Sequence, residues 1–494
     1  MIDVGLARAH ASYGGLAPPF GPGKLHPELQ SLLGERAANG GAPNHVYDAV
    51  RASLRGAGLD AERFGGAEWN PLGALVQRGG RIVLKPNFIR HWNPNESASV
   101  ESVITHGSVV RAIADYAFIA AGVEGSVAIA EAPQHDCDFD RIREITGLDA
   151  LVAFYAETIG RDLEIIDLRR ETVRYEDGVI VERRKLPGDP AGYRLIDLAD
   201  HSAFASSGLD PRRFRGADYD PGPTTEHHDG GRNEYLLSET VLSADLVVNL
   251  PKLKTHKKTG VTLALKNLVG INGDKNLLPH HCVGSVADGG DEFPGGSWLD
   301  RGRSLATELA RSLLKRGIGT RLVRWVRRVE DTTRGSDFIR SGNWHGNRTT
   351  WRMCVDLNRC LYYSSAEGEH FDATAPPRRV LTVIDGIVAG EGEGPLAPVD
   401  VPLGVILAST DPVALDLACV RLMGFDEAKI PKIRESMGDE GLRITAVRRP
   451  ADVAVHELDP GTGELHTRAL DALDPPRIFD AHPGWRGHLE RDSR

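Results

Sequence analysis

N-L-P-K-L-K-T-H-K-K-T-G-V-T-L-A-L-K-N-L-V-G-I-N-G-D-K-N-L-L-P-H-H, residues 249–281, is the stretch from which the rest of this chain is read. The chain holds twelve lysines, and six stand here: Lys252, Lys254, Lys257, Lys258, Lys266 and Lys275. Elsewhere arginine carries the positive charge almost throughout. A lysine kept among arginines points to a use for a compact ammonium or a titratable amine, which a planar guanidinium cannot supply. Three histidines, His256, His280 and His281, share the stretch. A solvated basic loop has no need of the run Thr259-Gly-Val-Thr-Leu-Ala-Leu265, which suits a helix entering a core. The spacing predicts a strand, a basic loop facing a polar ligand, and then a helix.

Upstream, Ala244–Asn249 reads as the strand that feeds this motif. Arg81–Lys85 reads as a buried strand running into Pro86-Asn87-Phe88-Ile89-Arg90-His91. Thr105 is placed to cap a helix that ends at Ala121 before Gly122. Ser126–Ala130 is the next strand, followed by Glu131-Ala-Pro-Gln-His135 and a helix near Phe139. This β-α-β-α rhythm argues for a parallel sheet, whose ligands sit past the carboxyl ends of the strands. Asn87, Arg90 and His135 stand at those ends. Asp177-Gly178 between alternating runs predicts a hairpin.

Downstream, residues 303–330 read as a basic helix, suited to solvent, a partner helix or an anionic surface. Arg379–Ile384 reads as a strand ending in Asp385, followed by Gly390-Glu-Gly-Glu-Gly394, where the backbone can approach a ligand. Asp411 is placed to cap a helix from Pro412 to Met423. Residues 440–494 read as a terminal strand with a loose tail.

The 494 residues imply more than one domain or one large domain with insertions. A net charge of −10 argues against nucleic acid as a partner, and the basic run 252–258 on an acidic chain suits a small anion better. Five cysteines without a C-x-x-C argue against a disulfide scaffold and an iron–sulfur cluster. No signal peptide or membrane span is read, which gives a cytoplasmic expectation.

The motifs resemble the family known as domain of unknown function 362. The matching residues are Lys85-Pro86-Asn87, the 249–281 stretch, Val383-Ile-Asp-Gly386 with its Gly-Glu-Gly-Glu-Gly, and A-S-T-D-P-V-A-L-D ending at Asp416, across about residues 80–430. Some members carry an added ferredoxin segment, for which this chain lacks the cysteines. The long form resembles members found among polysaccharide genes, which implies a role in polysaccharide biosynthesis.

A more distant resemblance, over Ala244–Lys266, is to the nickel-pincer lactate racemase family. It implies that Lys266 tethers a nickel-pincer nucleotide, that His256 is an acid/base histidine, and that His280 or His281 binds nickel. His135 stands where that family has its other acid/base histidine, and Asn87-x-x-Arg90 replaces an Asp-x-x-Arg pair. The family's Ser-Gly-Gly-Arg is Thr262-Leu-Ala-Leu265 here, bulkier where glycines make room for the cofactor. A shared fold and crevice are thus inferred ahead of a shared cofactor.

Together these readings predict an α/β protein of two lobes with mainly parallel sheets flanked by helices, lactate-racemase-like, with a ligand crevice between the lobes. The expected divisions are an extension at 1–75, a lobe at 76–285 with the Lys/His motif, a helical insertion at 286–375, and a second lobe with tail at 376–494. The expected activity is isomerase- or racemase-type acid–base chemistry on a hydroxy acid, sugar acid or phosphorylated sugar. His256, His135 and Lys266 are its catalytic candidates. Asn87, Arg90, Lys252, Lys254, Lys275 and Asn272 are the substrate-binding candidates. His280, His281 and Asp385 are candidates for a divalent metal. A metal-dependent transferase using Lys266, with an ion held by Asp385, Asp411 and Glu391 or Glu393, is the first alternative. A non-catalytic protein that binds an anionic ligand is the second. The reading admits a homo-oligomer.

Overall fold

The computed structural model describes all residues except 35–42, 296, 319–322, 324–340, 372, 374, 439–440, 460–461 and 492–494. The labelled elements, in chain order, begin with β1 (Ile2–Arg8), α1 (His45–Gly56), β2 (Arg81–Pro86), α2 (Gly107–Ala121), β3 (Ser126–Glu131) and β4 (Leu163–Asp167). Then come β5 (Leu246–Leu250), β6 (Lys252–His256), the short α3 (Leu263–Asn267), α4 (Trp298–Lys315) and α5 (Thr350–Tyr363). The chain closes with β7 (Val380–Glu393), β8 (Ala397–Ser409), α6 (Pro412–Leu422), α7 (Pro431–Gly438), β9 (Val453–Leu458) and β10 (Leu465–Ala469).

Among the described residues, eleven strands form one mixed, mainly parallel sheet ordered β10-β9-β1-β8-β7-β5-β2-β3-β4, with β6 beside the far end of β7 and Gly260–Val261 beside β6. The run β7-β5-β2-β3-β4 is parallel, as the β-α-β rhythm requires, and β8 runs against both β7 and β1. Strands from 1–75, 76–285 and 376–494 thus share a single sheet, where two sheets in two lobes were expected.

Both faces of the sheet are covered, and alternate residues of each strand feed two cores. Ile82, Leu84, Val127, Ile129, Leu246 and Val248 enter the core beneath α1 and α2. Val83, Ala128, Ala130 and Val247 enter the opposite core, with α3, α5 and α6. Both-sided burial explains why these strands read as continuous apolar runs.

Several local expectations are corrected. His106, whose Nδ1 accepts from Ser108 N at 3.2 Å, caps α2 in place of Thr105. Thr105 instead ties strand ends together: its hydroxyl donates to Leu250 O at 2.7 Å and accepts from Asn87 N at 3.0 Å. The basic loop after β5 is largely the buried strand β6. The Gly-Glu-Gly-Glu-Gly run continues β7 as strand through Glu393. A Cβ on Gly394 would lie 2.1 Å from Thr255 O, so that glycine serves chain packing rather than a ligand. The tail is not loose: Trp485 and Leu489 are buried, and Trp485 Nε1 donates to Lys257 O at 2.8 Å. The hairpin (Glu171–Glu176 with Val179–Lys185) and the Asp411 cap on α6 are as expected. Of the basic segment 303–330, residues 319–322 and 324–330 lie outside the described residues, and the rest belongs mainly to α4. No helix among the described residues is long and apolar enough to cross a membrane.

Candidate functional site: a cavity of cations and histidines

The parallel strands β2, β3 and β5 lie side by side, and the chain leaves them at Lys85-Pro-Asn87, Glu131 and Pro251. Helix α3 crosses this edge and adds Lys266 and Asn267. A cavity of about 350 Å³ opens there. Its lining includes Lys85, Asn87, Glu131, His135, His256, Lys258, Lys266, Asn267, Lys275, His280, His281 and Arg311.

Asn267 organises the floor. Its Oδ1 accepts from Asn87 Nδ2 at 2.7 Å and from Lys85 Nζ at 3.3 Å. Its Nδ2 donates to Asn249 Oδ1 at 2.8 Å and to Lys85 O at 3.2 Å. Lys85 pairs with Glu131 at 2.6 Å, and Lys254 donates to Asn87 Oδ1 at 3.0 Å. A network satisfied to this degree holds its members rigidly. Gly270 lets α3's continuation press onto it, since a Cβ there would lie 1.9 Å from Glu131 Oε1.

Lys266 is fixed by an unusual turn. Leu263 adopts φ +53°, a left-handed conformation that costs a branched side chain roughly 1–2 kcal/mol. Asp416 on α6 receives the backbone N–H of Ala264 at 2.7 Å and lies 3.6 Å from Lys432. Lys432 in turn donates to Val261 O and Thr262 O at 2.9 and 2.6 Å. The A-S-T-D-P-V-A-L-D segment therefore acts through Asp416 on the start of the Lys266 helix. Leu263 and Leu265 are buried in the core and do not line the cavity.

The electrostatics are one-sided. Burial, reinforced by Lys257, lowers Lys258 to about 7. Burial, only partly offset by Glu131, lowers Lys275 to about 7. Burial also lowers Lys266, with Cys354 and Glu131 opposing. His256 falls well below its ordinary value through burial and then Lys266. His280 falls to about 3 through burial, Lys258 and Lys266, and His135 to about 3 through burial and Lys275. The imidazoles are thus neutral at pH 7.

Their tautomers follow from their partners, because a backbone N–H only donates and a carbonyl only accepts. His256 Nδ1 accepts from Lys258 N at 3.0 Å, so Nε2 carries the proton. His280 Nδ1 faces Leu278 O at 2.8 Å, so Nδ1 carries the proton and Nε2 keeps a lone pair. The cavity therefore holds one neutral imidazole set as a donor and another set as an acceptor at Nε2.

Of the residues singled out in the sequence, His135, His256, Lys266, Asn87, Lys275, His280 and His281 line the cavity together. The others are placed elsewhere. Lys252 lies 3.0 Å from Asp385, which also takes the Tyr13 hydroxyl at 2.5 Å and His106 N at 2.9 Å. Asp385 is thereby separated from His280 and His281, and among the described residues no three His, Cys, Asp or Glu side chains converge as a metal set. Lys254 lies behind Asn87 and also donates to Val103 O. Arg90 pairs with Asp136 at 2.9 Å. Asn272 braces backbone, accepting from Leu236 N at 2.9 Å and donating to Asp274 O at 2.6 Å. Asp411 holds its helix cap and Thr445, and Glu391 pairs with Arg477 at 2.8 Å, so they do not join Asp385 around an ion. Lys85, Glu131, Asn267, Lys258 and Arg311 were not singled out as site residues. The first three stood in view at strand ends or beside Lys266; nothing in the sequence marked Arg311, which reaches the cavity from α4.

Residues 201–421 match the family model of domain of unknown function 362. Over that stretch the chain is similar to this family. The match takes in β5 through most of α6, and so Lys266, His256, His280 and Asp416. Lys85, Asn87, Glu131 and His135 of the same cavity lie N-terminal to it. A thylakoid-associated protein of Synechocystis sp., sll1697, is 26% identical over 199 residues, covering 40% of this chain and 39% of that protein. The chain thus spans about two fifths of that relative's length.

Proposed function

We propose that this protein is an enzyme of isomerase or racemase type that moves a proton on a small anionic substrate in this cavity. The observation that carries the reading is the complementary pair of neutral histidines: His280 Nε2 is a base with a lone pair, and His256 Nε2–H is an acid. Two imidazoles in opposite tautomers can remove a proton from one position and deliver one to another. Lys258, Lys275 and Arg311 supply the attraction for a carboxylate or phosphate. Asn87 and the Glu131–Lys85 pair offer fixed acceptors and donors for hydroxyl groups. Hydroxy acids, sugar acids and phosphorylated sugars carry both features.

The test is deuterium exchange into substrate carbon in D2O, followed by NMR over a panel of those three classes. Exchange by the wild type that is lost in both His256→Gln and His280→Gln supports the reading. Exchange that survives both substitutions, or tight anion binding with no exchange on any member, would overturn it; the second outcome favours a binding protein.

The free amine of Lys266 favours a second reading, in which it is a tether. His280 Nε2 is unbonded among the described residues, and Leu263 and Ala264, which replace the racemase glycines, stay out of the cavity, so the residues fit a nickel-pincer nucleotide on Lys266 with one histidine ligand. Such a group would supply a hydride acceptor. Intact mass and elemental analysis of protein from its own organism test this: an unmodified chain without nickel removes it.

A further inference from the structure

Six lysines are buried: Lys85, Lys252, Lys254, Lys266, Lys275 and Lys432. Buried lysines are normally paired, and five of these obey. Lys85 has Glu131, Lys252 has Asp385, Lys254 has Asn87, Lys275 has Ala132 O and Lys432 has Asp416. Lys266 Nζ has no hydrogen-bond or ion-pair partner among the described residues, although its side chain lines the cavity. The nearby carboxylate does not serve it, since Glu131 is taken up by Lys85 and by Phe88 N at 3.2 Å. The helix start that fixes Lys266 is held by Asp416 and Lys432, so the position is rigid rather than incidental. The surroundings favour an uncharged amine: burial outweighs the nearby Glu131, which is paired with Lys85, and cations and imidazoles share the cavity. An unprotonated lysine amine is a nucleophile toward carbonyl carbon.

We propose that Lys266 forms an imine with a ketone or aldehyde group of the anionic substrate. This rests on the acid–base reading above and narrows the substrate to small carbonyl compounds that bear a carboxylate or phosphate. The Lys266 nitrogen lone pair forms the N–C bond as the carbonyl π pair moves to oxygen, and one N–H proton passes from the nitrogen to that oxygen, giving a carbinolamine. With a second proton supplied by solvent while His256 Nε2–H hydrogen-bonds to it, that oxygen leaves as water as the nitrogen lone pair forms the C=N bond. The imine carries a positive charge when protonated and draws electrons from the neighbouring carbon. His280 Nε2 takes the proton from that carbon, and the freed pair moves through C=C to nitrogen, giving an enamine. Returning a proton to another face or carbon gives the isomer, and water releases it by reversing the first steps. No oxidant or reductant enters.

The experiment treats the full chain with pyruvate, or separately dihydroxyacetone phosphate, adds sodium borohydride, and maps any adduct by peptide mass. The expected result is a borohydride-dependent reduced imine on Lys266 with at least one probe, absent from Lys266→Arg. Mapping on the wild type stands even where Lys266→Arg fails to fold. Absence of an adduct with both probes, or one spread over other lysines, overturns the proposal. Deuterium exchange is read on the same samples. An adduct at Lys266 with exchange intact in the histidine variants keeps the imine and removes the acid–base pair. Exchange that needs both histidines without an adduct does the reverse.

Discussion

Lys252 and Lys266 belong to one motif, are both buried, and have opposite fates. Lys252 on β6 is enclosed with Asp385 and the Tyr13 hydroxyl, and its charge is balanced inside the sheet. Lys266 on α3 faces a cavity whose carboxylate, Glu131, is bonded to Lys85 and not to it. The first is architecture that joins the N-terminal segment to β6 and β7. The second is available for chemistry. A lysine within one motif therefore carries no single meaning; the partner within bonding distance decides it.

The sharpest way to break this contrast is to remove each amine. Lys252→Met strands Asp385 as a buried, unpaired carboxylate, and a loss of about 3–5 kcal/mol is expected in denaturant unfolding. Lys266→Met removes an amine that balances nothing, so stability is expected to change by less than about 1 kcal/mol while borohydride trapping is lost. Similar stability losses in both variants would erase the distinction.

Asp416→Ala tests whether the Lys266 position is held from α6. It leaves Lys432 buried without its carboxylate and frees the Ala264 N–H, and a loss of about 2–4 kcal/mol is expected. The exchange rate should fall with it, since the left-handed turn at Leu263 loses its support. The histidine substitutions come next: His256→Gln and His280→Gln should each lower exchange by about 10²-fold or more, with little change in the unfolding midpoint.

The smallest effect is that of pH. Lys258 and Lys275 stand at about 7 in the folded protein, charged below that value and neutral above it. Affinity for phosphate or carboxylate should therefore fall as pH rises from about 6 to about 8, approaching tenfold per pH unit for each ammonium lost. His256 and His280 are already neutral across this window, so they add no step of their own. Calorimetric titration with inorganic phosphate reads the slope, and a flat profile would remove these lysines as the anion contacts.

Much of the fold was legible in local pattern. β2, β3 and β5 are short apolar runs ended by polar strand-end motifs, α6 begins at an Asp-Pro signal, and Asp177-Gly178 marks a hairpin. The single sheet was not legible, because β1 and β9 are far apart in sequence and pair only once the chain has folded. The buried strand β6 was read as a loop, since alternating lysines suggest exposure until Asp385 and Asn87 are known to face them.

The sequence by itself determined the chemistry at hand: a cluster of lysines and histidines on an acidic chain, set after a strand and before a helix. It also brought Asn87, His135, His256, Lys266, Lys275 and His280 into view. Only the tertiary structure decided which of them share a cavity and in what state. Charge balance and tautomer depend on groups distant in the chain. Asp385 neutralises Lys252, Glu131 is committed to Lys85, and carbonyl and N–H contacts orient the imidazoles. Spacing along a chain fixes residue type and local geometry, while protonation is set by whatever folding packs around it.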